Sequence, residues 1–117
     1  MKIKRIVPIT TVSNRDELEQ TLQQHVEVLG MEVVMDHGWI ATLADAHGHQ
    51  LSIMMKDSTA PGNPDTSVFV DDVHHVMPVH APWVWTSSTR SPVKTGGVTR
   101  FFYCDAAGTV INVGMHS

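Results

Sequence analysis

The stretch DAHGHQLSI, residues 45–53, is repeated later in the chain as DAAGTVINV, residues 105–113. The two copies share Asp, Ala and Gly at their first, second and fourth positions, and their apolar residues alternate in phase. This pattern is typical of a turn followed by a β-strand. The repeat predicts two copies of one module of roughly 55–60 residues. Because so small a module cannot bury both faces of its sheet alone, we expect the two copies to pack together.

The residues that precede the first copy predict a strand, a helix and then further strands. Residues 3–11 are rich in β-branched side chains, which favours a strand. Two overlapping capping-box patterns, beginning at Ser13 and Asn14, predict a helix start, and Gly30 stands where a glycine commonly ends a helix. Apolar residues recur between them at helical spacing, at Leu18, Leu22, Val26 and Leu29. The runs MEVVMD, WIATLAD and QLSIMMK then predict three short strands, which completes a βαβββ order.

The second half of the chain predicts the same order with a shorter helix. Residues 57–64 are rich in Pro, Gly, Asn and Asp, which indicates a linker. The run SVFV at 67–70 predicts a strand, and two prolines within residues 74–85 predict a short or broken helix. The last two predicted strands are residues 98–104 and 109–113. At 117 residues we expect one domain, 1–117, with module one at about 1–56, a linker at about 57–64 and module two at about 65–117.

The composition is that of an ordinary globular chain and excludes several functions. The net charge is −4 and the basic residues form no cluster beyond Lys2, Lys4 and Arg5, so we expect no nucleic-acid partner. No run is long and apolar enough for a signal peptide or a membrane span, so we expect no membrane association. The single Cys104 cannot form an internal disulfide, which favours the cytoplasm.

Three stretches in the same order resemble one superfamily. They are VEVLGMEVVMDHGWIATLAD (26–45), SVFVDDV (67–73) and GGVTRFFYCDAAGTVINV (96–113). Together they resemble the glyoxalase, bleomycin-resistance and extradiol-dioxygenase superfamily, also called vicinal oxygen chelate proteins. The resemblance implies an α+β fold, in which two tandem βαβββ modules form curled mixed sheets around a concave cavity, and a homodimer. It does not choose among isomerases, lyases, dioxygenases, epimerases, thiol transferases and metal-free proteins that sequester antibiotics.

The resemblance also implies four metal-ligand positions, on the first and last strands of each module. In this chain they fall at Val7 or Pro8, at Ser52, at Asp65 and at Asn112. One carboxylate among such residues does not hold a divalent ion tightly. We therefore predict no metal and no cofactor. His47 and His49, which first suggest a metal site, fall on the repeated turn and are interpreted as exposed turn residues.

Six residues are candidates for binding a ligand: His37, Trp39, Trp83, Trp85, Arg100 and Phe102. The tryptophans either stack on a flat ligand or belong to the core or a dimer interface. Arg100 either holds a carboxylate or phosphate in the cavity or makes a surface salt bridge. His37 is a general base or, as we favour, a turn residue.

These observations favour a metal-free protein that captures a small apolar or aromatic molecule, in the manner of the antibiotic-sequestering relatives. The alternative is a lyase, isomerase or dioxygenase of the same superfamily, with or without a divalent metal. A third class is a structural or partner-binding module whose cavity is filled by side chains. Whether a reaction is catalysed stays open, and we name no catalytic residue.

Overall fold

A computed structural model describes residues 2–56, 62–78, 81–85, 93–95 and 97–116, without the side chains of residues 85, 93 and 95. The chain divides into two compact units. We call Val7–Asn63 the N-terminal unit, and Met1–Ile6 together with Pro64–Ser117 the C-terminal unit. The elements are β1 (Ile3–Val12), α1 (Arg15–Leu29), β2 (Glu32–Asp36), β3 (Ile40–Ala44), β4 (Gln50–Met55), β5 (Thr66–Val70), α2 (Val73–Val76), β6 (Val84–Trp85), β7 (Val93–Thr95), β8 (Val98–Cys104) and β9 (Val110–His116).

The N-terminal unit has the predicted βαβββ order. Its strands lie in the order β2-β3-β4-β1. β3 runs antiparallel to β2 and to β4, whereas β1 and β4 are parallel, with Ile9 opposite Ser52. One face of this sheet packs against α1. The buried residues of this core are Val12, Leu18, Leu22, Met31, Ala41, Leu43 and Ile53.

Helix α1 begins at the second of the two predicted capping patterns. The side-chain oxygen of Asn14 accepts a hydrogen bond from the backbone N–H of Glu17 at 2.8 Å, which satisfies one of the free donors of the first turn. At the other end the N–H of Gly30 donates to the Val26 carbonyl at 3.1 Å. The helix therefore ends at the glycine that the sequence indicated.

Arg15 connects the start of α1 to the turn between β2 and β3. Its guanidinium donates to both carboxylate oxygens of Asp36, each at 2.9 Å, and to the Gly38 carbonyl at 2.9 Å. The hydrogen bonds from Arg15, with a further one from the Gly38 N–H, lower the pKa of Asp36 to about 2. These contacts hold the turn that carries His37 and Trp39.

The C-terminal unit has the same order with one additional strand, because four strands follow its helix instead of three. Its strands lie in the order β1-β5-β9-β8-β6, and β7 pairs with β8. β5 and β9 are parallel, while β8 is antiparallel to β9. β6 and β7 were not predicted, because two or three residues are too few to show an alternating pattern. The buried core residues are Val70, Val73, Met77, Val84, Phe101 and Val113.

The second helix is short, as predicted. α2 has four residues and is capped by Asp72, whose carboxylate accepts from the His74 N–H at 3.0 Å. It ends before Pro78, which cannot continue a helix. The start of β1 is attached to the end of β5, because the Lys2 N–H donates to the Asp71 carboxylate at 3.0 Å and the Asp71 N–H donates to the Lys2 carbonyl at 3.1 Å.

The repeated stretch forms the same turn in both units. One carboxylate oxygen of Asp45 accepts from the N–H groups of His47 and His49, and Asp105 does the same for the residues two and four positions on, all at 2.9 Å. The fourth residue of each copy has a φ of 84° or 87°, which only glycine adopts readily. His47 and His49 are exposed, as the turn interpretation predicts.

The predicted α+β fold, with two tandem βαβββ modules, is confirmed. The predicted linker at 57–64 stays a prediction, since residues 57–61 lie outside the described part of the chain. The contact units differ from the predicted modules in one respect, because Met1–Ile6 belongs to the C-terminal unit.

Replacing Asn14 by Ala should lower the free energy of unfolding by about 1 kcal/mol, because the first turn of α1 loses its side-chain cap. Ser13→Ala is the matched control. Since Ser13 does not cap the helix, its loss should change stability by less than ~0.5 kcal/mol. Urea denaturation of the two variants measures the difference. A larger loss for Ser13→Ala would show that the helix begins one residue earlier.

Candidate functional site

In the C-terminal unit, the sheet has one face that packs on α2 and another that does not. Side chains of successive strand residues point to opposite faces. Phe101 and Val113 lie in the core with Val73 of α2, so Phe102 and Asn112 project from the other face. We call this second surface the helix-free face of the C-terminal unit.

A buried amide lies on this face. The Asn112 side chain is only 6% exposed, and its amide nitrogen donates to the Ser67 hydroxyl at 3.0 Å. Ser67 stands opposite Asn112 in the β5–β9 register and is 7% exposed. Among the described residues, the Asn112 carbonyl oxygen has no hydrogen-bond partner. Whichever way the amide is turned, one end contacts Ser67 and the other is unsatisfied.

An aromatic ring and a guanidinium lie beside this amide. Phe102 is opposite Asn112 in the β8–β9 register and is 6% exposed. The Arg100 guanidinium carbon is 5.0 Å from the centre of the Phe102 ring, a distance typical of a cation–π contact. Ser67, Arg100, Phe102 and Asn112 therefore combine hydroxyl, cationic, aromatic and amide groups on one face, and we call them the Asn112 site.

The N-terminal unit has an equivalent pair that is closed. Ser52 occupies the position of Asn112 in the repeat and is 6% exposed. Its hydroxyl is 2.8 Å from that of Thr42, the residue opposite it on β3. Each of the two hydroxyl oxygens therefore has a hydrogen-bond partner, whereas the Asn112 carbonyl oxygen has none among the described residues.

The strand registers correct two of the positions inferred from the resemblance. The first-strand residue next to Asn112 is Ser67, two residues beyond Asp65, which is exposed. In the N-terminal unit the residue next to Ser52 is Ile9 and not Val7 or Pro8. An alignment without gaps could not find these offsets, because the register depends on hydrogen bonds between strands distant in sequence.

The corrected positions do not fit the metal that the resemblance implies. They offer two hydroxyls, one amide and one aliphatic side chain, which are poor ligands for a divalent ion. Over the described ranges, no group of three or more His, Cys, Asp or Glu side chains is arranged to hold a metal ion.

Of the six predicted ligand-binding residues, Arg100 and Phe102 are in contact through their described side chains. Trp83 is half exposed and meets the Tyr103 ring edge-on at 5.9 Å; Tyr103 packs on the core face. The backbone of Trp85 pairs with Phe102, but its side chain lies outside the described residues. His37 and Trp39 lie in the β2–β3 turn of the N-terminal unit.

In that turn, both predicted residues are exposed. Trp39 is 46% exposed, and the His37 N–H donates to the Ile40 carbonyl at 2.9 Å. A role for any of the six in binding a ligand stays a prediction. Sequence analysis missed Ser67, although a single polar residue at the start of the apolar run SVFV was a usable signal.

Solved structures similar to this chain match nearly all of it. They include an NAD-dependent benzaldehyde dehydrogenase from Legionella pneumophila, 14% identical with a TM-score of 0.67 over 97% of this chain and 100% of that one. A glyoxalase/bleomycin resistance protein/dioxygenase superfamily member from Vibrio splendidus 12B01 is 13% identical, with a TM-score of 0.64 over 97% and 99%. An uncharacterized protein from Methanosarcina mazei is 18% identical, with a TM-score of 0.54 over 100% and 95%.

These similarities establish the fold, and the fold that the resemblance implied is confirmed. No protein-family model matches the chain, and no curated protein sequence matches it. The first two structures carry names with different activities, so the shared fold does not choose a function. Within the described residues, neither helix is long and apolar enough to cross a membrane.

Replacing Asn112 by Leu should leave the free energy of unfolding within ~0.5 kcal/mol of the original, because removal of the buried acceptor that has no described partner offsets the loss of the hydrogen bond to Ser67. Ser52→Ala is the matched comparison in the other unit. It leaves the Thr42 hydroxyl without its partner and should cost about 1 kcal/mol. Urea denaturation compares the two. An equal or larger loss for Asn112→Leu would mean that the amide serves stability.

Proposed function

We propose that this protein binds a small, largely apolar or aromatic molecule at the Asn112 site and acts by capturing it. One observation carries the proposal, which is the unsatisfied carbonyl oxygen of the buried Asn112 side chain. An unpaired buried polar group costs roughly 1–3 kcal/mol. A protein bears such a cost where a ligand supplies the missing partner.

The proposed ligand has a hydrogen-bond donor and a flat apolar part. An N–H or O–H group of the ligand donates to the Asn112 carbonyl oxygen. The Phe102 ring, directly opposite on β8, offers an apolar surface for stacking. Arg100 beside that ring adds a positive charge, which suits a ligand with an electron-rich or anionic edge. Because Phe102 and Asn112 are each 6% exposed, the ligand enters by displacing neighbouring side chains.

Capture is favoured over catalysis by the chemistry of the four side chains. A serine hydroxyl, a guanidinium, a phenyl ring and an amide include no group that exchanges a proton near neutral pH. General acid–base catalysis needs such a group within reach of the substrate. The same four side chains supply no strong metal ligand, so the proposal is a metal-free protein.

The proposal includes two properties that rest on sequence and resemblance. The single cysteine supports a cytoplasmic protein, and the resemblance supports a homodimer. Light scattering coupled to size-exclusion chromatography measures the second property directly, and a monomer at all concentrations would contradict it.

Ligand pairs that differ only in the donor test the proposal. Indole with 1-methylindole, and phenol with anisole, are titrated into ¹⁵N-labelled protein while the side-chain amide signal of Asn112 is followed. Each donor compound should bind at least about tenfold more tightly than its methylated partner, because only the donor compound satisfies the Asn112 oxygen. The difference should disappear in Asn112→Leu.

Ser52→Ala is the control, since it alters the equivalent position of the other unit and should keep the discrimination. Equal affinity for both members of each pair, or no binding of any compound, would contradict the proposed site.

Metal analysis of protein purified without a histidine tag checks the metal-free part of the proposal. Zinc, nickel, manganese and iron should each be far below one ion per chain, because the ligand positions carry hydroxyl, amide and aliphatic groups. Near-stoichiometric content of any of these metals would overturn it.

A further inference from the structure

A second cluster lies in the C-terminal unit and is not part of the Asn112 site. The Arg5 guanidinium carbon is 4.0 Å from the centre of the Phe69 ring. The His116 imidazole stacks on the same ring, with centroids 4.9 Å apart and planes 1° from parallel. An Arg5 guanidinium nitrogen also hydrogen-bonds the His116 Nε2. The cationic side chain of Arg5 and the titratable ring of His116 therefore both contact the Phe69 ring.

Gly114 lies beside these side chains on β9. Phe69 is opposite Gly114 in the β5–β9 register. A Cβ at Gly114 would lie at an ordinary contact distance of 3.6 Å from the Phe69 ring, but only 3.2 Å from a methyl group of Val98, so glycine relieves crowding against Val98. His116 follows two residues later and points to the same face. β1 brings Arg5 to this place from the other end of the chain.

The cluster carries positive charge without a carboxylate to balance it. Among the described residues, no Asp or Glu oxygen lies within ion-pair distance of Arg5. Partial burial, and then the charges of Arg5 and Lys4, lower the pKa of His116. The neighbouring strands contribute Phe69 from β5, and Val98 and Arg100 from β8, which stand opposite His116 and Gly114. Of these three only Arg100 is charged, and it stays positive at every pH considered.

A neutral His116 can accept a hydrogen bond from Arg5, but a protonated one cannot. Protonation would instead place a second positive charge beside the guanidinium. An anion between the two groups removes this repulsion, because it accepts hydrogen bonds from both. An oxyanion with two acceptor oxygens fits this requirement.

We propose that Arg5 and His116 form a binding subsite for an oxyanion, either a carboxylate or a phosphate-type group, supported by the Phe69 ring. This subsite goes beyond the proposed function, since it uses none of the four residues of the Asn112 site. Binding takes up a proton at His116. Affinity therefore rises as the pH falls through the range where free His116 is neutral, by at most about tenfold per pH unit for one proton.

The first test uses the unaltered protein and sulfate, whose charge does not change between pH 5 and 8. The histidine ring signals are titrated by NMR in sulfate and in chloride at equal ionic strength, which keeps general screening constant. Sulfate should raise the pKa of His116, and the ring signals of the exposed His75 serve as the reference. His116→Gln identifies the signal. A second titration with acetate distinguishes carboxylates from tetrahedral oxyanions.

The second test measures sulfate affinity in variants by calorimetry at pH 6 and pH 7.5. Arg5→Gln should weaken binding about tenfold or more, and Arg5→Lys should weaken it less because the charge remains. His116→Gln should remove the pH dependence. Lys94→Gln and His75→Gln are matched controls, since both side chains are exposed elsewhere in the same unit.

An unchanged His116 pKa in both sulfate and acetate would overturn the proposal. So would unaltered sulfate affinity in a folded Arg5→Gln protein. If Arg5→Gln does not fold, the titration of the unaltered protein decides alone. Asn112→Leu should keep sulfate binding, so failure of the oxyanion subsite and failure of the Asn112 site are separate outcomes.

Discussion

The alternation of side chains along each strand is the constraint on which the other features depend. Each unit packs one face of its sheet against a helix, so the residues of the central strands that point to that face form an apolar core. The intervening residues project from the other face. Where they are buried and polar, they must find partners among themselves or in a ligand. The proposed function of this protein follows from which buried polar groups on that second face have hydrogen-bond partners.

At equivalent positions of this second face, the two units differ in the hydrogen bonds of their buried polar side chains. In the N-terminal unit Ser52 and Thr42 form a closed pair of hydroxyls. In the C-terminal unit Asn112 contacts Ser67 and keeps an unsatisfied carbonyl oxygen. An amide has more donors and acceptors than a hydroxyl. When the Asn112 nitrogen donates to Ser67, its carbonyl oxygen therefore stays without a described partner. The same repeated segment thus carries a hydrogen-bonded pair of hydroxyls in one unit and, in the other, a buried carbonyl oxygen that has no partner among the described residues.

Two clusters share strand β9 of the C-terminal unit. Asn112 and His116 alternate with core residues and lie four positions apart, which is about 13 Å along a strand. The first cluster offers an amide acceptor and an aromatic ring, and the second offers a guanidinium and an imidazole. This one strand therefore contributes side chains to both clusters.

The sequence by itself determined the order and type of the main elements, because helix caps, apolar periodicity and turn glycines are encoded by residues close together in the chain. It also identified the repeat, and it singled out Arg100, Phe102 and positions 52 and 112 as candidates. Only the tertiary structure decided which capping residue starts α1, that Ser67 and not Asp65 faces Asn112, and that Arg5 meets His116 from the opposite end of the chain. These depend on the register between strands far apart in sequence, and register is set by hydrogen bonds and packing that no local pattern records.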